Sequence, residues 1–177
     1  MKRATLIFTL LLITTALLAQ DKKPLFLGIQ PGITKEKFYS KDEFDINIIP
    51  FVLQMPLSKK FDLRLTTLGN YHFGGTSGFS DIGLQLVAPV FIFGHKEVTN
   101  SKSHGFYAGP VLGFGRNLIN NHYTTTVAIE PGYMFSTKKH FTISLGLQFG
   151  GSYFNYDTEP NLWRNHFGFK INLGWWL

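Results

Sequence analysis

The chain has 177 residues, 18 Phe, 7 Tyr and 3 Trp among them, and only 16% of its residues are charged. That length suits one sizeable core rather than two ordinary domains, and the composition excludes a disordered chain, which would be poor in aromatics and dense in charge. The lack of cysteine excludes disulfide scaffolds, thiolate zinc sites and cysteine nucleophiles, and the net charge of +6 includes no Lys/Arg run long enough to suggest a nucleic-acid partner.

Met1-Lys2-Arg3 is basic, Ala4 to Ala19 is uncharged and largely apolar, and Ala19-Gln20-Asp21-Lys22-Lys23 turns abruptly polar. This is the layout of a secretory signal peptide over residues 1–20, with small Ala19 at the cleavage edge. Its apolar run is shorter than the roughly 20 residues a helix needs to cross a bilayer. The expectation is an exported protein whose residues 21–177 form one domain.

From there on, hydropathy alternates with period two. Eight segments show it, at 24–34, 44–57, 61–73, 79–94, 104–116, 122–135, 141–153 and 166–177. In the third, Phe61, Leu63, Leu65, Thr67, Gly69, Tyr71 and Phe73 alternate with Asp62, Arg64, Thr66, Leu68, Asn70 and His72. Successive strand side chains point to opposite faces, so each segment has one apolar face and one polar or small face. Soluble strands usually have about 5–6 residues, whereas a tilted strand crossing hydrocarbon needs about 9–11. Segments of 11 to 16 residues predict an all-β fold: an eight-stranded antiparallel up-and-down transmembrane β-barrel.

The links 58–60, 95–103 and 136–140 would then lie on one side, and 35–43, 74–78, 117–121 and 154–165 on the other. Tyr71, Phe73, Phe79, Tyr123 and Tyr153 gather at one set of strand ends. Phe61, Phe91, Phe93, Phe106, Phe135, Phe141 and Trp175 gather at the opposite set. Two such belts match the aromatic girdles of bilayer interfaces. Pro31, Pro50, Pro89, Pro110 and Pro131 interrupt the pattern, since proline cannot donate to a ladder. Segment 44–57 also slips in parity, with Phe44, Ile46 and Ile48 in one phase and Ile49, Phe51, Leu53 and Met55 in the other. A bulge near Ile48–Pro50 would reconcile both features.

The last strand runs from His166, and Phe167, Phe169, Ile171, Leu173, Trp175 and Leu177 form its apolar face. His166, Gly168, Ile171 and Leu173, with Trp175 close behind, fit a polar–any–Gly–any–any–apolar–any–apolar frame. In this the chain resembles small outer-membrane β-barrel proteins, the OmpX/OmpA-transmembrane and PorT-like type, including those of Bacteroidota. Leu177 stands where such barrels usually end on an aromatic residue. The resemblance implies an outer-membrane location, an assembly signal read by the barrel assembly machinery, and contact with outer-membrane lipid and lipopolysaccharide. It implies little about activity, because one fold hosts many functions.

The polar strand faces place Asp62, Arg64, Asp81, Gln85, Glu130, Gln148, Lys170 and Asn172 inside the barrel. Eight strands enclose a space that side chains can fill, and charges there must pair. These residues are expected to form a salt-bridge and hydrogen-bond plug, with a narrow polar path as the functional alternative. The six histidines form no spaced metal motif, and no metal or other cofactor is expected. His72, Ser77, Ser80 and Asp81 flank the Gly74–Gly78 hairpin, where a Ser–His–Asp contact would permit acyl chemistry. Lipid A deacylases and palmitoyltransferases are barrels of this size, but their His-x-Ser motif does not occur here. The link after the seventh strand carries Tyr156, Asp157, Trp163 and Arg164, suited to sugars or a protein partner. The leading expectation is therefore a non-enzymatic outer-membrane barrel whose outer loops contact envelope components or a surface partner. A lipid A-modifying acyl hydrolase or acyltransferase and a small-solute channel are the alternatives.

Overall fold

In the computed structural model, residues 24–34, 41–75, 77–93, 102–137, 140–156 and 160–177 are described. The expected leader over 1–20 lies outside them, as does Asp157. The period-two alternation folds as strands throughout: in β5 (Asp62–Phe73), Asp62, Arg64 and Thr66 are fully buried while Leu63 and Leu65 stay partly exposed. The same rhythm runs through β8 (Gly105–Asn117), β9 (His122–Ser136), β10 (Phe141–Tyr156) and β11 (Leu162–Trp176). No helix occurs among the described residues.

Three of the eight expected segments are each split in two at a proline. The first becomes β1 (Phe26–Ile29) and β2 (Ile33–Thr34) on either side of Pro31. The second becomes β3 (Phe44–Asn47) and β4 (Phe51–Pro56) around Pro50. The fourth becomes β6 (Gly78–Val87) and β7 (Val90–Phe93) around Pro89. Proline has no N–H to give, so the ladder breaks there, yet each break is used. Gln30 donates its N–H to Pro50 O at 2.6 Å, and Asp62 donates to Pro89 O at 3.0 Å. Pro110 and Pro131 stay within β8 and β9, both facing outward. The Pro110 carbonyl accepts from Ala88, and the β9–β10 ladder skips from Gly146↔Gly132 to Phe149↔Ile129 beside Pro131.

The ring runs β1, β4, β5, β6, β8, β9, β10 and β11, every neighbouring pair antiparallel. It closes where β11 returns to β1, from Phe26↔Trp176 to Ile29↔Leu173. This is an eight-stranded closed antiparallel β-barrel, and closure leaves the ring with no open edge. β3 extends the wall beside β5, β2 lies on β3, and β7 lies on β8.

The parity slip in 44–57 is a bulge. Asn47 pairs with Asn70 and Val52 with Thr66, so five steps on one side meet four on the other. Side chains replace the lost ladder bonds: Thr67 Oγ1 donates to Ile49 O at 2.6 Å and accepts from Phe51 N at 3.0 Å. A second bulge sits opposite Asn70/Tyr71, where Asn70↔Asp81 is followed by Tyr71↔Phe79. It leaves Ser80 as the extra residue.

Polarity is inverted relative to an ordinary globular core. Gln54, Asp62, Arg64, Glu130, Gln148 and Asn172 are all 0% exposed, whereas Ile82, Val127, Ile129, Phe167 and Phe169 are each more than half exposed. Leu63, Leu145 and Ile171 share the outward parity with them, each flanked along its strand by inward-facing residues. Outside, aromatic pairs gather at both sets of strand ends. Phe106–Tyr133, Tyr133–Phe135 and Phe141–Trp175 lie at one, and Phe44–Phe73, Tyr71–Phe79 and Tyr153–Trp163 at the other.

Candidate functional site

The inward strand positions converge on one polar network. Glu130 on β9 meets Arg64 on β5 across the lumen, Nη1 to Oε1 at 2.7 Å, with about 1% of either side chain exposed. Burying two charges is costly unless their remaining polar atoms are satisfied. Here Glu130 also accepts from Tyr107 OH at 2.8 Å and from Gln148 Nε2 at 2.6 Å. Arg64 donates through Nε to Gln54 Oε1 at 2.8 Å and its guanidinium lies 5.2 Å from the Tyr107 ring centroid, while its Nη2 is buried without a hydrogen-bond partner. Gln54 passes the chain to Asp62 Oδ2 at 2.7 Å, and Ser103 Oγ donates to the same oxygen.

Proton placement follows from these contacts. Tyr107 spends its proton on Glu130, so Ser144 Oγ, 3.0 Å away, donates to the phenol oxygen. Gln148 and Gln85 pair reciprocally at 3.0 and 3.3 Å. His166 Nε2, 3.1 Å from Gln148 Oε1, must carry the proton of that bond, because an amide oxygen only accepts. Hydrogen bonds thus join residues of β4, β5, β6, β8, β9, β10 and β11, which is every ring strand except β1. Gly146 faces the lumen where a Cβ would fall 2.8 Å from Glu130 Oε1, so its missing side chain is what admits the carboxylate.

Two further regions flank this network. Towards the end where β1 begins and β11 finishes, Phe26, Val52, Phe91, Tyr107, Met134 and Trp176 form a buried apolar cluster that fills the lumen. Towards the other end, His72 Nδ1 lies 2.8 Å from Asp45, Asp81 accepts from Asn117 at 2.9 Å and from Asn70 at 3.4 Å, and Thr126 meets Ser152 at 2.7 Å.

Of the inward residues named from the sequence, the structure brings Asp62, Arg64, Gln85, Glu130 and Gln148 together by hydrogen bonds. Asp81 belongs instead to the separate cluster near the second mouth. Lys170 shares the inward parity of β11 without a hydrogen bond into the network. Asn172 is fully buried, and neither side-chain atom has a hydrogen-bond partner. Gln54, Ser103, Tyr107 and Ser144 were not anticipated. Gln54 was hidden by the parity slip, although it lies in the buried phase once the bulge is counted. Tyr107 was hidden by its aromatic character, which in a barrel points first to a girdle.

The residues considered for acyl chemistry are not assembled as a triad. His72 engages Asp45 rather than Asp81, Ser77 Oγ donates to Gly74 O at 3.1 Å within the turn, and Ser80 is buried at the bulge. Among the described residues, no group of three or more His, Asp or Glu side chains is arranged to hold a metal. Of the terminal motif, His166 and Gly168 turn inward, while Ile171, Leu173 and Trp175 lie on the outward face. Trp163 packs against Tyr153 with centroids 6.3 Å apart, Arg164 is exposed, and the Tyr156 amide donates to Asn161 Oδ1 at 3.2 Å. Neither a scan against protein-family models nor a search of curated proteins returned a match for this chain.

Proposed function

We propose that this chain is an outer-membrane β-barrel without catalytic activity, held shut by its lumen network, whose outer loops contact envelope components or a surface partner. One observation carries the reading: charged and amide side chains are buried on the axis, while large apolar ones are exposed on the outer wall between two aromatic bands. In water such a wall would drive association, because soluble monomers rarely expose contiguous apolar surface on this scale. In a bilayer it is the stable arrangement. A basic-then-apolar leader supplies the route of export. A filled lumen argues against conductance, since Arg64, Glu130, Gln54 and the apolar cluster around Phe26 occupy the axis.

The test is electrophoretic mobility of the membrane fraction of expressing cells. A barrel folded in lipid migrates differently before and after boiling; identical mobility refutes the reading. In planar bilayers the same protein is expected to stay at baseline current, and stepwise conductance would replace the closed barrel with a channel.

A further inference from the structure

The two ends of the barrel differ in charge. The links that close the end holding the apolar cluster contain Lys59, Lys60, Lys96, Lys102, Lys138 and Lys139 against Glu97 alone. The links at the other end contain Lys35, Lys37, Lys41 and Arg164 against Glu36, Asp42, Glu43, Asp157 and Glu159. Where the first end is described, its charge is fixed in place. Leu57 and Ser58 both donate to Phe61 O at 2.9 Å, and Phe91 N donates to Lys60 O at 2.8 Å. These bonds tie the turn carrying exposed Lys59 and Lys60 to β7. Lys102 sits next to Ser103, which is bonded to Asp62 on β5. The acid closest to these lysines in sequence does not offset them, because Asp62 is turned into the lumen and 0% exposed.

Just along the wall lies an outward aromatic band: Phe93, Phe106, Phe135 and Trp175 are each more than half exposed. In a membrane such rings mark the boundary between acyl chains and headgroups. Lysines one turn beyond that boundary stand at headgroup height, where anionic lipid attracts them. A solvated surface needs neither this segregation nor this placement.

We propose that the Lys59, Lys60 and Lys102 rim docks onto anionic phospholipid headgroups of the leaflet it faces, anchoring that end of the barrel. The inference rests on the membrane reading above. The occupant is a lipid leaflet rather than an acidic protein because the lysines continue directly from the aromatic band.

The experiment folds the full barrel into vesicles of phosphatidylcholine alone or with phosphatidylglycerol, and follows urea unfolding by gel mobility. Wild type is expected to unfold at a higher urea midpoint in the anionic vesicles at low salt. This corresponds to at least about a fivefold gain in the folding equilibrium, lost in molar salt because screening then acts within about 3 Å. The triple variant Lys59→Gln, Lys60→Gln, Lys102→Gln should fold in both vesicles yet lose the difference. The variant Lys41→Gln, Arg116→Gln should keep it. Equal midpoints for wild type in the two vesicles, or an undiminished difference in the triple variant, overturn the docking while leaving the barrel in the membrane. Capture of the folded protein by polyglutamate without any lipid dependence also overturns it and gives the rim to an acidic macromolecule. A chain that folds in neither vesicle removes the membrane reading itself, and the docking with it.

Discussion

The Arg64 guanidinium and the Glu130 carboxylate close 2.7 Å apart across the lumen, from strands three places apart in the ring and 66 residues apart in sequence. No other hydrogen bond in the network spans so much of the chain. Removing one partner leaves a buried charge, which typically costs about 3–5 kcal/mol, whereas replacing both with apolar groups is often close to neutral. Arg64→Met and Glu130→Met are therefore each expected to lower unfolding stability by about 3 kcal/mol or more, and the double variant to recover most of the loss. Urea midpoints of all four proteins check this. Additive losses would mean that the contact is incidental.

How much of this was legible beforehand depended on which rule governed each residue. Period-two patterning fixed the wall, because Leu63, Leu145 and Ile171 have no alternative once Arg64, Ser144 and Asn172 face the axis. Even the bulge could be found, since one extra residue must invert the phase between Ile48 and Phe51. Strand ends were less legible: β11 starts at Leu162, four residues before the expected 166, because its pairing with β10 continues to Phe154↔Leu162. Contacts across the lumen were not legible at all. Strand tilt and stagger decide which inward residues meet, and these set Arg64 against Glu130 and Gln85 against Gln148, while His72 meets Asp45 because the β3–β5 register pairs them directly.

The space taken by Glu130 is lent by Gly146. A Cβ there would lie 2.9 Å from both Glu130 Cγ and Cδ. Gly146→Val should push the carboxylate off Arg64 and cost about 1–3 kcal/mol, the usual range for overpacking. The sign that this route is correct is non-additivity: in a Glu130→Met background the same substitution should cost distinctly less. Equal cost in both backgrounds would place the strain elsewhere.

Two side chains hold the bulge at Ile48–Pro50: Asn47 Oδ1 accepts from Ile49 N and Gly69 N, and the Thr67 hydroxyl bridges the rest. Thr67 Oγ1 satisfies both Ile49 O and Phe51 N, groups the interrupted ladder leaves without a backbone partner. Thr67→Val keeps the shape and removes both bonds, with an expected loss of about 1–3 kcal/mol; Thr67→Ser should retain most of the stability. Hydrogen exchange at the Phe51 amide gives an independent reading. Unchanged protection in the valine variant would show that the bulge is held by pairing on either side.

Leu147 and Phe169 face each other across the β10–β11 ladder on the outer wall, midway between Phe141 at one aromatic band and Tyr153 at the other. If hydrocarbon surrounds them, Arg at either position must hold a cation where no water reaches. The penalty in β-barrels is about 2–4 kcal/mol near the bilayer centre and falls to about 0–1 near the interfaces. Phe169→Arg and Leu147→Arg should each lower stability in vesicles by amounts in the upper range, whereas Tyr123→Arg, in the band at the strand ends, should change it little. Depth dependence is the discriminating feature, because an ordinary surface in water would tolerate arginine equally at all three positions. A flat profile would remove lipid from the outer wall and require a protein partner to cover it.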